Sequence, residues 1–235
     1  MRKLAFFVEG LTEQVFIKKL FLEIANKNAL HIETGRFDEG GRSGRPRRLT
    51  QFSVAKPGIG IEYFVLIYDC SGYERITSDI RDRYDGLVGE GFSLIIAVQD
   101  VRPRALSDVP EIRRFFRELV RQDPIESLLI LAVMEIEAWF IAECSHFAQC
   151  HPSLTLDMVI ASLGYDPCTH DLQSVNEPCE DLRRAYTLAG SGYNKSRAHV
   201  QATVEALDFA TVYLDLPTRF PDFASLIVSI EGFLS

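Results

Sequence analysis

Long apolar runs are missing from this chain of 235 residues, and none approaches the roughly 20 residues that a membrane-spanning helix needs. The start has no secretory character either: Met1-Arg2-Lys3 is followed by only five apolar residues before Glu9. The expected compartment is therefore the cytoplasm. Cysteine is scarce. The five cysteines form no paired framework and contain no Cys-x-x-Cys, so reduced thiols are expected rather than a disulfide scaffold. Cys144, Cys150, Cys168 and Cys179 lie in one stretch with His146, His151 and His170, but their intervals fit no standard zinc module. Basic charge is also short. Lys and Arg number 25 against 33 Asp and Glu, a net charge of −8, which excludes a general nucleic-acid coat protein. It does not exclude a nuclease, whose acids can hold metal while its bases cluster locally. Neither a phosphate-binding G-x-x-x-x-G-K-[ST] loop nor a G-x-S-x-G elbow occurs, so ATP hydrolysis by the first route and serine-hydrolase chemistry by the second are not expected.

What the chain does have is a series of short apolar runs. Leu4–Val8, Tyr63–Tyr68, Ser93–Val98 and Leu128–Val133 are too short for helices and read as buried strands, with a further short strand near Leu30–Thr34. Helical spacing follows the first run, with Thr12 as the expected N-cap, and recurs at about 74–87, 110–121 and 135–142. Trp139 and Phe140 read as core. Residues 35–60, rich in Gly and Pro, read as a long loop or flap. Continuous apolar strands separated by helices predict an α/β fold: a mainly parallel sheet of four to five strands flanked by helices. Residues 145–235 read as a helical extension packed on a domain formed by 1–144.

The strands end in acid. Glu9, Asp69, Asp100, and Glu135 with Glu137 each follow an apolar run. Ligands of open parallel sheets bind beyond the carboxyl ends of the strands, so these carboxylates are expected to converge. Gathered carboxylates repel one another unless a cation lies between them, and Mg²⁺ or Mn²⁺ suits an all-oxygen site. Such ions activate water and neutralise charge at a phosphate, which matches phosphodiester cleavage. A single acid after a strand also commonly caps the next helix. Glu135 and Glu137 stand two apart and cannot share a helix face unless the strand-to-helix junction falls between them. Arg42, Arg45, Arg47 and Arg48 in the Gly-rich stretch are candidates for contact with a nucleic-acid backbone.

The run Phe7-Val8-Glu9-Gly10-Leu11-Thr12-Glu13 resembles the opening motif of Toprim domains, and looks closest to small Toprim-like proteins of prokaryotic defence loci related to the overcoming-lysogenization-defect nucleases. Met134-Glu135-Ile136-Glu137-Ala138-Trp139-Phe140 and Gly192-Tyr193-Asn194-Lys195-Ser196 resemble later motifs of that group. The resemblance implies a Toprim/Rossmann-like sheet with Glu9 as metal ligand or general base. It makes Asp69 a ligand, with Asp100 or Glu135 to supply the acid lost after it; read as strand-end acids, Asp100, Glu135 and Glu137 are further metal candidates. It places Lys195 near the scissile phosphate. It also implies a metal-dependent nuclease acting on DNA or RNA in antiviral defence, beside an ATPase of the ABC or structural-maintenance type. One departure stands out: the usual Asp-x-Asp is replaced by Asp69-Cys70-Ser71. That departure leaves open a catalytically degenerate subunit that only docks on the ATPase. The oligomeric state stays open too, with a homodimer among the options.

Overall fold

The computed structural model describes residues 1–25, 29–37, 47–53 and 60–235. Each apolar run becomes a strand because it is buried on both faces and can satisfy its backbone only through neighbours. β1 (Arg2–Val8), β2 (Leu30–Phe37), β3 (Leu49–Ser53), β4 (Tyr63–Asp69), β5 (Leu94–Asp100) and β6 (Glu126–Ala132) form one sheet in the order β3-β2-β4-β1-β5-β6. β1 lies parallel to β4 and to β5, and β2 lies parallel to β4. β2 and β3 pair antiparallel. The fold class is therefore α/β, with six strands instead of the expected four to five. The extra strand is β3, five residues inside the stretch expected to be loop; Gly and Pro around it obscure its short pattern.

The chain divides into two compact units. The sheet unit comprises residues 1–99, 107–131 and 229–235; the helical unit comprises 100–106 and 132–228. In the sheet unit, α1 (Leu11–Ile24) packs on one face through Phe6 and Phe21, whose rings meet edge-on at 5.7 Å. Phe7, the next residue of β1, points to the other face and joins a core with Ile76 and Ile80 of α2 (Tyr73–Gly89) and Phe116 of α3 (Val109–Leu119). Successive strand residues alternate in direction, so helices on both faces are what the uninterrupted Leu4–Val8 run requires. Thr12 is not the cap of α1. The helix starts at Leu11, Thr12 is buried, and the Gly10 amide is satisfied by the Glu13 carboxylate at 2.8 Å.

The helical unit is built from α4 (Glu137–Ala142), α5 (His146–Cys150), α6 (Leu156–Leu163), α7 (Pro178–Thr187), α8 (Arg197–Ala206), α9 (Phe209–Leu214), α10 (Leu216–Arg219) and most of α11 (Pro221–Leu234). Trp139 and Phe140 are core residues, and the Trp139 ring meets Phe223 edge-on at 4.9 Å. Cys144 and Cys168 are joined by a disulfide, which corrects the expectation of reduced thiols throughout; Cys70, Cys150 and Cys179 are free. Neither partner of that bond is left to bind zinc. Among the described residues no helix is long and apolar enough to cross a membrane.

Candidate functional site

In the sheet unit, β1 and β4 are neighbours in register, Val8 opposite Asp69. The helix after β1 covers one face and the helix after β4 covers the other, so the chain reverses direction between these two strands. Glu9 and Asp69 stand at the carboxyl ends of these strands, the edge of the sheet where open α/β folds bind ligands. The turn after β4 is pinned there: the Cys70 amide donates to the Val8 carbonyl and the Gly72 amide to the Glu9 carbonyl, at 2.9 and 2.8 Å. Asp69 is buried, accepts from the Ser71 amide at 2.8 Å, and lies 3.6 Å from the Arg36 guanidinium. Burial raises its pKa, opposed by the Ser71 amide and by Arg36. The second acid expected of this motif has no substitute at the next two positions. The Cys70 side chain sits in the core, where burial raises its thiol pKa well above the ordinary value and removes it as a nucleophile. The Ser71 hydroxyl instead donates to the Phe37 carbonyl and accepts from Arg36.

The arginines of the expected nucleic-acid contact are placed unevenly. Arg42 and Arg45 lie outside the described residues, and Arg48 is exposed. Arg47 is a correction: it is buried, with its guanidinium on the Asp79 carboxylate at 2.7 Å, the Cys70 carbonyl at 2.8 Å and the Phe37 carbonyl. A guanidinium taken out of water needs such a set of acceptors, and Asp79 supplies the charge.

The helical unit holds the densest cluster. Asp100, Glu135 and Glu137 each divide their two oxygens between a structural hydrogen bond and the ammonium of Lys195. Asp100 Oδ1 accepts from the Ile136 amide at 2.9 Å, capping the start of α4, while Oδ2 lies 4.0 Å from Lys195 Nζ. Glu135 Oε2 accepts from the Cys179 amide at 2.9 Å, capping the proline-led start of α7, while Oε1 lies 3.9 Å from Nζ. Glu137 Oε1 accepts from the Tyr193 hydroxyl at 2.8 Å, while Oε2 faces Nζ at 3.1 Å. Capping and ion pairing thus coexist on the same side chains, and a helix N-terminus favours the negative charge that the cluster needs.

Glu137 is the deepest member, with no exposure, and its Oε2 receives no hydrogen bond. Burial raises its pKa; Lys195 and Tyr193 oppose the shift, and the Glu135 charge adds to it. Cys179 is buried beside these acids, and burial pushes its thiol up to about 12. The backbone is held in an unusual state at both ends of the cluster. Met134, just before Glu135, has φ 61°, and Lys195 has φ 55°. A non-glycine residue in this left-handed region costs about 1–2 kcal/mol and persists where its surroundings impose it. At Lys195 they do: the Asn194 side chain accepts from the Ser196 amide, and the Ser196 side chain accepts from the His199 amide at the start of α8.

Sequence reasoning thus named Asp100, Glu135, Glu137 and Lys195, which the structure brings together, and Glu9 and Asp69, which stand at the ends of the neighbouring strands β1 and β4. It missed Arg36, Tyr193 and Cys179 as neighbours of the acids. Tyr193 sits inside the Gly192–Ser196 motif and could have been named from it; Cys179 falls within the Cys/His stretch, and nothing in the sequence ties it to the acids. No family model, curated protein or solved structure matches the chain.

The donor set fits a hard divalent cation. Three carboxylates face the Lys195 ammonium, and the buried Glu137 Oε2 beside it makes no aligned hydrogen bond. Oxygen donors of this kind suit Mg²⁺ or Mn²⁺.

Proposed function

We propose that the chain is a divalent-metal-dependent phosphodiesterase acting on DNA or RNA, with its metal held by Asp100, Glu135 and Glu137 and its phosphate met by Lys195. The observation that carries this reading is the aim of three carboxylates at the Lys195 ammonium, 3.1–4.0 Å away, with the Glu137 oxygen nearest to it fully buried and without an aligned hydrogen bond. A bound divalent ion would supply a more acidic water and neutralise charge at phosphorus. The chain's own residues do the rest. Asp100 and Glu135, anchored on helix starts, fix the spacing of the ligand oxygens. Tyr193 holds the Glu137 carboxylate in place. The Lys195 ammonium, on a half-exposed side chain, is positioned to balance the charge that grows on a non-bridging phosphate oxygen. For Glu9 and Asp69 of the sheet unit, taken by themselves, the Toprim resemblance implies general-base and metal-ligand roles. Antiviral defence and control by an ABC-type ATPase belong to the same proposal and rest on that resemblance alone.

One observation favours a second reading, a catalytically silent subunit that docks on the ATPase. Neither Cys70 nor Ser71 offers the carboxylate that the motif after β4 usually carries. Calorimetric titration of Mg²⁺ and Mn²⁺ separates the two readings, using wild type, Glu137→Gln and Asp69→Ala with folding checked by circular dichroism. The first reading requires binding by wild type that Glu137→Gln weakens, together with metal-dependent cleavage of a nucleic-acid substrate. Absence of binding at millimolar metal, or binding indifferent to Glu137→Gln, would reject it.

A further inference from the structure

Cys179 stands where a fourth ligand would. One ligand atom each from Glu135, Glu137 and the Cys179 thiol lie within 4.8 Å of one another. All three belong to the helical unit, and Glu137 and Cys179 are buried. Glu137 Oε2, fully buried and without an aligned hydrogen bond, is met by the Lys195 ammonium at 3.1 Å, so this spot already holds a cation beside the carboxylates. Two donors on one tetrahedral ion are separated by about 3.5 Å, given bonds of about 2.0–2.3 Å, so the group needs only a modest contraction to close on a metal. Cys179 is the second residue of α7, and its own amide is bonded to Glu135. Thiol and carboxylate are therefore held at the same helix start and move together.

We infer that Cys179 is a metal ligand, and that the site selects a thiophilic or borderline divalent ion such as Zn²⁺ over Mg²⁺. The inference rests on the proposed metal site and sharpens it. An all-carboxylate site would favour Mg²⁺ by hardness, whereas a sulfur donor moves the preference toward the softer end of the series. Binding breaks the S–H bond, forms a metal–sulfur bond and releases the proton to solvent; no oxidant or reductant takes part. Lys195 Nζ, on a side chain 38% exposed, can withdraw toward water when a divalent charge arrives at the carboxylates.

The test uses the full chain and Mg²⁺, Mn²⁺, Zn²⁺ and Cd²⁺ themselves as probes, with affinities from calorimetry. Sulfur-to-cadmium charge-transfer absorption reports the thiolate bond directly. Wild type should show that band at one equivalent of Cd²⁺. Cys179→Ser should abolish it and weaken Zn²⁺ and Cd²⁺ by about tenfold or more, with Mn²⁺ affinity little changed. Cys150→Ser, which alters a half-buried free thiol, should keep the band. A band that survives in Cys179→Ser, or its absence from wild type saturated with Cd²⁺, overturns the assignment of Cys179. Those outcomes leave the carboxylate site standing if Mn²⁺ still binds in a manner sensitive to Glu137→Gln. Loss of that sensitivity would instead defeat the metal-site reading.

Discussion

Replacing Lys195 by Met removes the one ammonium that the three carboxylates of the helical unit face while keeping the aliphatic stem. At 3.1 Å the gross attraction between Nζ and Glu137 Oε2 is about 5 kcal/mol at an effective dielectric of 20. Desolvation of a fully buried carboxylate offsets much of it, and the ammonium, 38% exposed, is partly screened by water. A net destabilisation of about 2 kcal/mol is expected for Lys195→Met, because it strands a buried charge. Glu137→Gln keeps the shape and the Tyr193 hydrogen bond but discharges the partner. The double variant Lys195→Met/Glu137→Gln should then recover most of the loss, leaving a coupling energy of about 1–2 kcal/mol in a double-mutant cycle. Urea denaturation followed by circular dichroism measures each corner. Strict additivity, with no recovery in the double variant, would refute the argument that Lys195 and Glu137 form one electrostatic unit. A coupling confined to metal-containing buffer would refute it equally, since the pair is read as present without metal.

Two further outcomes follow from buried groups elsewhere. Arg47→Ala strands the Asp79 carboxylate, which is 2% exposed and bonded to Arg47 at 2.7 Å, and should cost about 3–5 kcal/mol in chemical denaturation. Arg47→Ala with Asp79→Leu should cost markedly less than the single change, and an equal cost would refute the pairing. His146 is fully buried, with its Nδ1 on the Glu143 carbonyl at 2.6 Å and Nε2 unbonded, and burial lowers its pKa to about 4 from 6.5. Because the unfolded chain takes up the proton first, this contribution is intact above pH 6.5 and is lost as pH falls toward 4. The loss between pH 7 and 5 should be about 2 kcal/mol, read as the change in the stability difference between wild type and His146→Leu. Glu143 Oε2, 4.0 Å away, Cys150 and Tyr186 share its surroundings, so subtraction of the variant is what isolates the imidazole. A difference that does not vary with pH would show that His146 is not held neutral.

The strands were readable in the sequence because both of their faces are apolar; an uninterrupted run such as Leu4–Val8 admits little else. β3 was not, since five residues with polar Thr50 and Gln51 among them carry too short a pattern. The acids were readable one at a time, each by its place after a strand. Their grouping was not: local periodicity cannot say that Lys195, 58 residues after Glu137, meets Glu137, Glu135 and Asp100. That closure is set by the packing of α4 and α7 and by the loop through Tyr193. The disulfide escaped for a related reason, because a separation of 24 residues between Cys144 and Cys168 says nothing about distance in space. Arg47 illustrates the opposite error. A basic cluster invites an external partner, and the partner of this member is an aspartate of its own chain.

The shared duties of the carboxylates bear on how such a site would decay. Asp100 and Glu135 hold the first turns of two helices, so selection for folding alone would preserve them after any use of the site had ended. Lys195 and Glu137 cap no helix: the buried Glu137 charge is tolerable mainly because Lys195 and Tyr193 stand beside it. A lineage that abandoned the chemistry would shed that pair together and retain the two capping acids, and the state of the pair would then tell working descendants from retired ones.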